Sequence, residues 1–247
     1  MKLNHEWHKG FFRNSFYNPA SPAAVAKAPD EVRFILGRLN LKKGANLLDL
    51  CCGPGRHAVL IAKKGISVTG YDFSAEYLGE AAQRAKKAGI GLCLIQGDMR
   101  RLKFKNEFDA VVNLFTSFGY FQRFSDDIRT LKGVSRALKP GGLFMLDVVH
   151  GDFIRKNFRQ RDWIKLENGS YHLEDAVLTD DGVFNTWTLI GKGKVKERAF
   201  FSRLYTKDRI SAAMLKAGLE PLKFWGNFKG DPLSPKRNRL IVLAKKI

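Results

Sequence analysis

The stretch Leu47-Leu48-Asp49-Leu50-Cys51-Cys52-Gly53-Pro54-Gly55-Arg56-His57 decides the fold of this chain. Its first part is a short apolar segment typical of a buried strand, its middle is a tight turn with two glycines, and a helical pattern begins at His57. Glycine lets the backbone approach a ligand closely, and the N-terminus of the next helix offers free N–H groups. The stretch therefore predicts a strand, a ligand-binding turn and a helix.

Strands alternate with helices on both sides of this turn. The patterns predict strands at 46–51, 67–71, 92–96, 108–115 and 143–149, with helices at 57–64, 75–88 and 125–138. Such alternation indicates βαβ units and therefore a doubly wound α/β fold around a mostly parallel sheet. A helix from 207 that ends at Gly218, followed by strands at 222–225 and 240–244, predicts a closing hairpin.

The segment 151–206 has a different period and predicts an antiparallel β insertion after the fifth strand. Short strands are expected at 163–167, 171–178, 183–190 and 199–205, and Asn168-Gly169 and Asp181-Gly182 are strong hairpin turns. We accordingly expect a helical, aromatic-rich lid at 1–40, a core at 41–150, the insertion at 151–206, and closing elements of the core at 207–247.

Composition is that of a globular protein. The 247 residues are 45% hydrophobic and 27% charged, and no apolar run reaches the length of a membrane-spanning helix. The N-terminus is polar and does not resemble a signal peptide. Three cysteines are too few and too clustered for a disulfide framework, and no zinc-site spacing accompanies them. We expect a cytoplasmic protein without a metal and without a membrane partner.

A net charge of +19 is the unusual bulk property. It favours contact with phosphates or other anions through long-range attraction. Because the basic residues are spread along the whole chain, a general basic composition explains the charge as well. Charge alone leaves nucleic-acid binding as an open alternative.

Polar residues end three further strands near the glycine turn. Asp72 ends the second strand and can accept hydrogen bonds from both hydroxyls of a ribose. Asp98 follows the third strand, where a carboxylate can accept an amino proton of adenine. Asn113 stands near the end of the fourth strand, beside the switch point where open α/β sheets bind ligands.

These segments resemble the motifs of class I S-adenosylmethionine-dependent methyltransferases, in family order and spacing across 45–149. The matching segments are Asp49 to Gly55, Tyr71-Asp72-Phe73-Ser74, Gly97-Asp98-Met99, Phe108 to Asn113 and Leu138 to Leu143. The resemblance implies a Rossmann-like sheet of seven strands with the last strand antiparallel. It also implies S-adenosyl-L-methionine as cofactor and S-adenosyl-L-homocysteine as product.

The resemblance also assigns roles. Gly53 and Gly55 would shape the turn under the methionine part, and Asp49 would meet the cofactor's amino group directly or through water. The remaining expected contacts are Asp72 with the ribose, Phe73, Asp98 and Met99 with adenine, Asn113 and Phe115 with the amino-acid end, and Tyr17 as a lid residue. Cys51 replaces the family's usual first glycine, and this departure matters little if the residue keeps a negative φ.

A nicotinamide enzyme is the main rival for the turn, because that fingerprint accepts the alanine at position 58 as its third small residue. The order of the motifs beyond the turn favours the methyltransferase. A fixed base is needed only when the acceptor must lose a proton. His150, at the carboxyl end of the fifth strand, is the candidate base, and an ordinary hydrogen-bonded loop histidine is the alternative reading.

The acceptor class is narrowed by what the sequence lacks. Asn113-Leu114-Phe115-Thr116 replaces the Pro-Pro motif of adenine and glutamine amino-methylating enzymes, and no cysteine follows position 93 to serve a cytosine-C5 enzyme. The lid and the insertion favour N- or O-methylation of a small molecule, and an anionic acceptor would fit the basic charge. Residues expected to line an acceptor pocket are Tyr120, His172 and Arg203.

Two other functions stay open. The basic charge makes an RNA methyltransferase the second reading, for which salt-sensitive RNA binding would be the mark. The third reading is a cofactor-binding regulatory protein without catalysis, which would bind the cofactor and methylate nothing.

Overall fold

The structure is a computed structural model that describes residues 3, 7–12 and 18–247, apart from the side chain of residue 9. Among these residues, no helix combines the length and the apolar character needed to cross a membrane. The helices are α1 (Trp7–Phe11), α2 (Pro22–Leu39), α3 (Arg56–Ala62), α4 (Ala75–Lys87), α5 (Phe124–Ala137), α6 (Gly151–Lys156) and α7 (Lys207–Leu215).

The central sheet has seven strands in the order β3-β2-β1-β4-β5-β11-β10. Its strands are β1 (Asn46–Leu50), β2 (Ser67–Asp72), β3 (Cys93–Gln96), β4 (Phe108–Asn113), β5 (Leu138–Val149), β10 (Leu219–Trp225) and β11 (Arg239–Lys246). Only β11 runs antiparallel to its neighbours, β5 and β10. The predicted doubly wound sheet with an antiparallel last strand is confirmed.

The central strands are buried on both faces because successive side chains point to opposite sides of the sheet. Leu48 and Val111 pack on one side, in a cluster that includes residues of α5 and α7. Leu47 and Val112 pack on the other side, with residues of α2 and α3. This two-sided core fixes the carboxyl ends of β1, β2 and β4 at one edge, where a ligand can bind.

A second, antiparallel sheet follows β5, as the hairpin turns predicted. It contains β6 (Arg161–Lys165), β7 (Tyr171–Leu178), β8 (Gly182–Gly191) and β9 (Lys194–Arg203) in sequential order. The insertion begins with α6 at residues 151–156, a helix that the sequence analysis did not predict. His150 is the residue immediately before this helix.

Two boundaries near the site also differ from prediction. β5 begins at Leu138 and includes the Pro140-Gly141 segment, which was expected to be a turn. β4 ends at Asn113 rather than at Phe115. The chain leaves the strand there because Phe115 and Thr116 both adopt positive φ, at 58° and 57°.

A buried ion pair joins the insertion to the core. Arg203 at the end of β9 donates from Nε to Asp127 Oδ2 of α5 at 2.7 Å, and Tyr205 Oη donates to the same oxygen at 2.7 Å. Arg203 Nη2 also donates to the backbone carbonyls of Phe121 and Gln122. Both charged side chains are fully buried, and Arg203 Nη1 also lies 3.3 Å from the exposed carboxylate of Asp181, so Asp127 supplies the buried counter-charge of Arg203.

We expect Asp127→Ala to lower the free energy of unfolding by about 3 kcal/mol, because it leaves the buried Arg203 guanidinium with the exposed Asp181 carboxylate as its remaining counter-charge. Urea denaturation is the measurement. Asp30→Ala is the matched control, since Asp30 forms an ion pair with Arg33 on the surface and should cost no more than about 1 kcal/mol. Equal losses in the two variants would contradict the structural importance of the buried pair.

Candidate functional site

A cavity of about 540 Å³ opens at the carboxyl ends of the central strands. Gly53, Asp72 and Asp98 all line it. The two carboxylates that the sequence placed after separate strands therefore face one space beside the glycine turn. This is the juxtaposition expected of a nucleoside site.

The carboxylate of Asp72 holds the glycine turn in place. Its Oδ2 accepts a hydrogen bond from the Gly53 N–H at 2.9 Å, and its Oδ1 accepts one from the Ser74 N–H at 2.9 Å. Burial raises the pKa of this carboxyl group. Gly55 does not line the cavity but is needed sterically, because a Cβ there would lie 2.9 Å from Ala81 Cβ and its φ is +74°.

Cys51 departs from the sequence expectation. Its φ is +62°, so the residue that stands in place of a glycine takes the left-handed conformation, and the condition of a negative φ is not met. The Cys51 N–H donates to the Tyr71 carbonyl at 2.7 Å, which holds the residue in this strained geometry. Its side chain lines the cavity with Sγ 3.6 Å from Met99 Sδ. Burial raises the pKa of the thiol well above its usual range, so the group is protonated.

The far end of the cavity contains the residues expected to contact adenine. Phe73, Asp98 and Met99 line it. Asp98 is already engaged, because both of its carboxylate oxygens accept from the Arg100 guanidinium. Burial would raise the pKa of Asp98, but the hydrogen bonds and charge of Arg100 outweigh burial and lower it. The Arg100 backbone N–H also donates to Oδ1 and its Nη2 to Oδ2, so a ligand donor at Asp98 would share these oxygens with Arg100.

Asp49 lines the cavity next to the glycine turn, and its Oδ2 is buried without a hydrogen-bond partner. Burial and the charge of Asp72 together raise its pKa to about 7, against the opposing effect of Arg56. A desolvated carboxylate of this kind is stable in its charged form only when a cation approaches. The arrangement suits an ammonium group of a ligand.

The two residues expected at the amino-acid end behave differently. Asn113 is buried below the cavity and is not among the described residues that line it; its Nδ2 donates to the Leu50 carbonyl at 3.0 Å. Phe115 does line the cavity, and its N–H donates to Asp147 Oδ2 at 2.8 Å. Because φ of Phe115 is positive, its backbone no longer follows the conformation of β4.

Aromatic side chains form another wall. Trp7 and Phe12 of the N-terminal segment line the cavity together with Tyr120, and the ring centroids of Trp7 and Tyr120 are 5.8 Å apart. Phe11 packs behind them on Phe200 of β9, with ring centroids 4.5 Å apart. Tyr17, expected in the lid, lies outside the described residues.

Three residues considered for catalysis or acceptor binding lie elsewhere. His150 is buried, and its Nδ1 is 3.1 Å from the Arg237 carbonyl. His172 packs edge-on against Trp187, and burial lowers its pKa. Arg203 is committed to Asp127. None of the three is among the described residues that line the cavity, whereas Tyr120 is.

Sequence reasoning did not select a buried charged group beneath the site. Arg56 and His57 at the start of α3 both line the cavity, and both contact Glu31 of α2. Burial lowers the pKa of His57. Their position directly after the glycine turn was the sequence signal that could have indicated Arg56 and His57 as site residues. Its charge partner on α2 is distant in sequence and could not be identified from spacing.

No group of three or more His, Cys, Asp or Glu side chains arranged to hold a metal ion occurs in the part of the chain that the structure describes. The groups that line the cavity and can contact a ligand are carboxylates, guanidinium groups and aromatic rings.

Several known proteins have sequences similar to that of this chain. Residues 47–142 match the family model described as a methyltransferase domain. The chain is 32% identical over 230 residues to the glycine/sarcosine N-methyltransferase of Halorhodospira halochloris, covering 90% of this chain and 82% of that protein. It is 29% identical over 132 residues to a dTDP-3-amino-3,4,6-trideoxy-alpha-D-glucopyranose N,N-dimethyltransferase of Streptomyces venezuelae. That match, like several others, spans about half the length of each relative.

The fold agrees with solved structures. An S-adenosylmethionine-dependent methyltransferase of Clostridium acetobutylicum superimposes with a TM-score of 0.78 at 21% identity, over 90% of this chain and 92% of that one. Motif order, sheet topology and full-length similarity agree: the chain belongs to the class I S-adenosylmethionine-dependent methyltransferases.

Proposed function

We propose that this methyltransferase methylates an amino nitrogen of a small-molecule acceptor. The observation that carries the proposal is one cavity that combines a nucleoside-binding set of carboxylates with a wall of aromatic rings. Two relatives support the choice of nitrogen, since one is named for methylation of glycine and sarcosine and the other for dimethylation of an amino sugar. An oxygen acceptor is the neighbouring possibility.

The residues present fit S-adenosylmethionine, which supplies a methyl group activated by its sulfonium charge. Asp72 would hold the ribose, while Phe73, Asp98 and Met99 would bind adenine. Asp49, with its unpartnered buried oxygen, suits the ammonium of the methionine part. Phe115 and the glycine turn would contact the same part, and Tyr17 would close the site from the lid.

The protein's own contribution is to align the nucleophile and exclude water. Trp7, Phe12 and Tyr120 supply π faces, which attract cationic groups such as a sulfonium or an amine. β9 supports this wall through Phe200, so the insertion would act as the acceptor cap. An amine that enters in its neutral form already carries the attacking lone pair, and no fixed base is then required.

We also propose a cytoplasmic location. Cys51, Cys52 and Cys93 are all free thiols, and a reducing compartment maintains thiols in this form.

An acceptor panel tests the function. Glycine, sarcosine, amino sugars and other small amines, with matched alcohols, would be incubated with S-adenosylmethionine and followed by the mass gain of one methyl group. We expect turnover of at least one amine and none of the corresponding alcohol. Methylation of RNA but of no small amine, with strongly salt-dependent binding, would instead favour the RNA reading. Cofactor binding without any turnover would favour the regulatory reading.

Asp72→Ala should weaken calorimetric binding of S-adenosylhomocysteine by at least about 1 kcal/mol, because charged hydrogen bonds to the ribose are lost. Glu76→Ala is the matched control, since Glu76 is an exposed acidic residue in the first turn of α4. Thermal unfolding of both variants without ligand would show how far the Gly53 and Ser74 N–H groups depend on this carboxylate. Unchanged affinity in Asp72→Ala would rule out the ribose contact.

Asp49→Asn should stabilise the ligand-free protein at about pH 8. The folded protein holds a proton on Asp49 up to about pH 7, whereas the unfolded chain releases it near the ordinary value of 3.8. The stability cost of this carboxyl group therefore grows between these values and is constant above them, and asparagine removes it. Denaturation at about pH 4 and about pH 8 should show a gain only at the higher pH.

Asp109→Asn is the control for Asp49→Asn, and its expected change in stability at about pH 8 has the opposite sign. The hydrogen bond and charge of Lys139 lower the pKa of Asp109, so its carboxylate stabilises the fold above its unfolded pKa. This variant should lose stability at about pH 8. A loss in Asp49→Asn at the same pH would contradict the unpaired state of Asp49.

A further inference from the structure

Two buried side chains of opposite charge each present an unpartnered polar atom in the cavity wall. Asp49 Oδ2 and Arg56 Nη2 have no hydrogen-bond partner, and both residues line the cavity. No ion pair joins them within the described parts of the chain. A buried charged group is costly unless its polar atoms are paired, so each of these two atoms is available to a ligand group of opposite charge.

Arg56 is held firmly by the protein on its other side. Its Nη1 donates to Glu31 Oε2 at 2.8 Å and to the Ala24 carbonyl at 3.0 Å, both on α2. Its Cζ lies 4.4 Å from the centroid of the Phe115 ring. Because these contacts use one end of the guanidinium and one of its faces, Nη2 is the donor left to bind an anion.

The position of the pair relative to the glycine turn identifies the ligand group. Asp49 precedes the turn and Arg56 follows it, so both charges flank the turn directly. Asp72, the expected ribose ligand, accepts a hydrogen bond from the middle of the same turn at Gly53. A ligand with its ribose near Asp72 would place its amino-acid end between Asp49 and Arg56.

We propose that Arg56 and Asp49 together form a zwitterion subsite for the methionine part of S-adenosylmethionine, with Arg56 Nη2 binding the α-carboxylate and Asp49 Oδ2 binding the α-ammonium. Glu31 is a positioning residue that orients Arg56 and balances its charge. The inference rests on the proposed cofactor-binding site and adds Arg56 and Glu31 to it. An α-amino-acid acceptor has the same pair of charges and is the competing occupant.

The subsite is tested by calorimetry, in which the affinities of two ligands are compared between the wild-type protein and variants of Arg56. The ligands are S-adenosylhomocysteine and its decarboxylated analogue, which lacks only the α-carboxylate. We expect the wild-type protein to bind the complete product about 10- to 100-fold more tightly, as one charged hydrogen bond allows. Arg56→Ala should bind the two ligands with similar affinity, and Arg56→Lys should keep part of the preference because it retains the charge.

Arg84→Ala is the matched control. Arg84 Nε donates to the Pro54 carbonyl at 3.1 Å and so supports the same turn from outside the cavity lining. Its loss should affect both ligands equally and leave the wild-type preference intact. Should Arg56→Ala fail to fold, Arg56→Lys and the wild-type preference still decide the question.

Each other result overturns the inference in a distinguishable way. A wild-type protein that binds both ligands equally has no carboxylate subsite, although it still binds the cofactor. A preference that survives in Arg56→Ala places the carboxylate elsewhere. Unchanged product binding with a raised KM for an amino-acid acceptor assigns the pair to the acceptor. Binding of neither ligand by the wild-type protein refutes the proposed function itself.

Discussion

The bond between the Asp72 carboxylate and the Gly53 N–H is the constraint on which the site depends, because it ties the end of β2 to the turn between β1 and α3. The turn includes three residues at positive φ, Cys51, Gly53 and Gly55. Such a turn is unfavourable for Cys51 and persists only when neighbouring contacts fix it. The same carboxylate that shapes the turn lines the cavity, so turn geometry and ligand position are set together.

A second strained turn, at Phe115 and Thr116, also lines the cavity. Phe115 and Thr116 have consecutive positive φ values and carry full side chains. Asp147 on β5 accepts the Phe115 N–H at 2.8 Å, and its backbone carbonyl accepts the Thr116 N–H at 3.0 Å. Arg239 on the antiparallel strand β11 pairs with Asp147 and donates to Thr116 Oγ1 at 2.9 Å. The last strand of the sheet thus holds a turn that the fourth strand alone would not keep.

The sequence predicted the parts of this molecule that local patterns control. The alternation of strands and helices, the glycine turn and the shared cavity of Asp72 and Asp98 follow from apolar runs and from rules for parallel sheets. His150 and Arg203 show where such reasoning stops. Their positions after β5 and on β9 suggested the site, but burial and pairing with Arg237 and Asp127 depend on contacts distant in sequence. The positive φ of Cys51 could not be predicted either, because backbone strain is determined by tertiary contacts.

The same limit explains why a buried charge next to the turn could not be recognised from spacing. The sequence shows that Arg56 follows the glycine turn. It does not show that Glu31 of α2 pairs with the Arg56 guanidinium and balances its charge. Glu31 remains ionised because hydrogen bonds from His57 and Arg56 outweigh the rise in pKa that burial causes. A compensated guanidinium can be buried at low cost, and one with a free donor on the cavity side is organised for an anion before it arrives. Binding then needs little reordering of the protein, which is where preorganised sites gain their affinity.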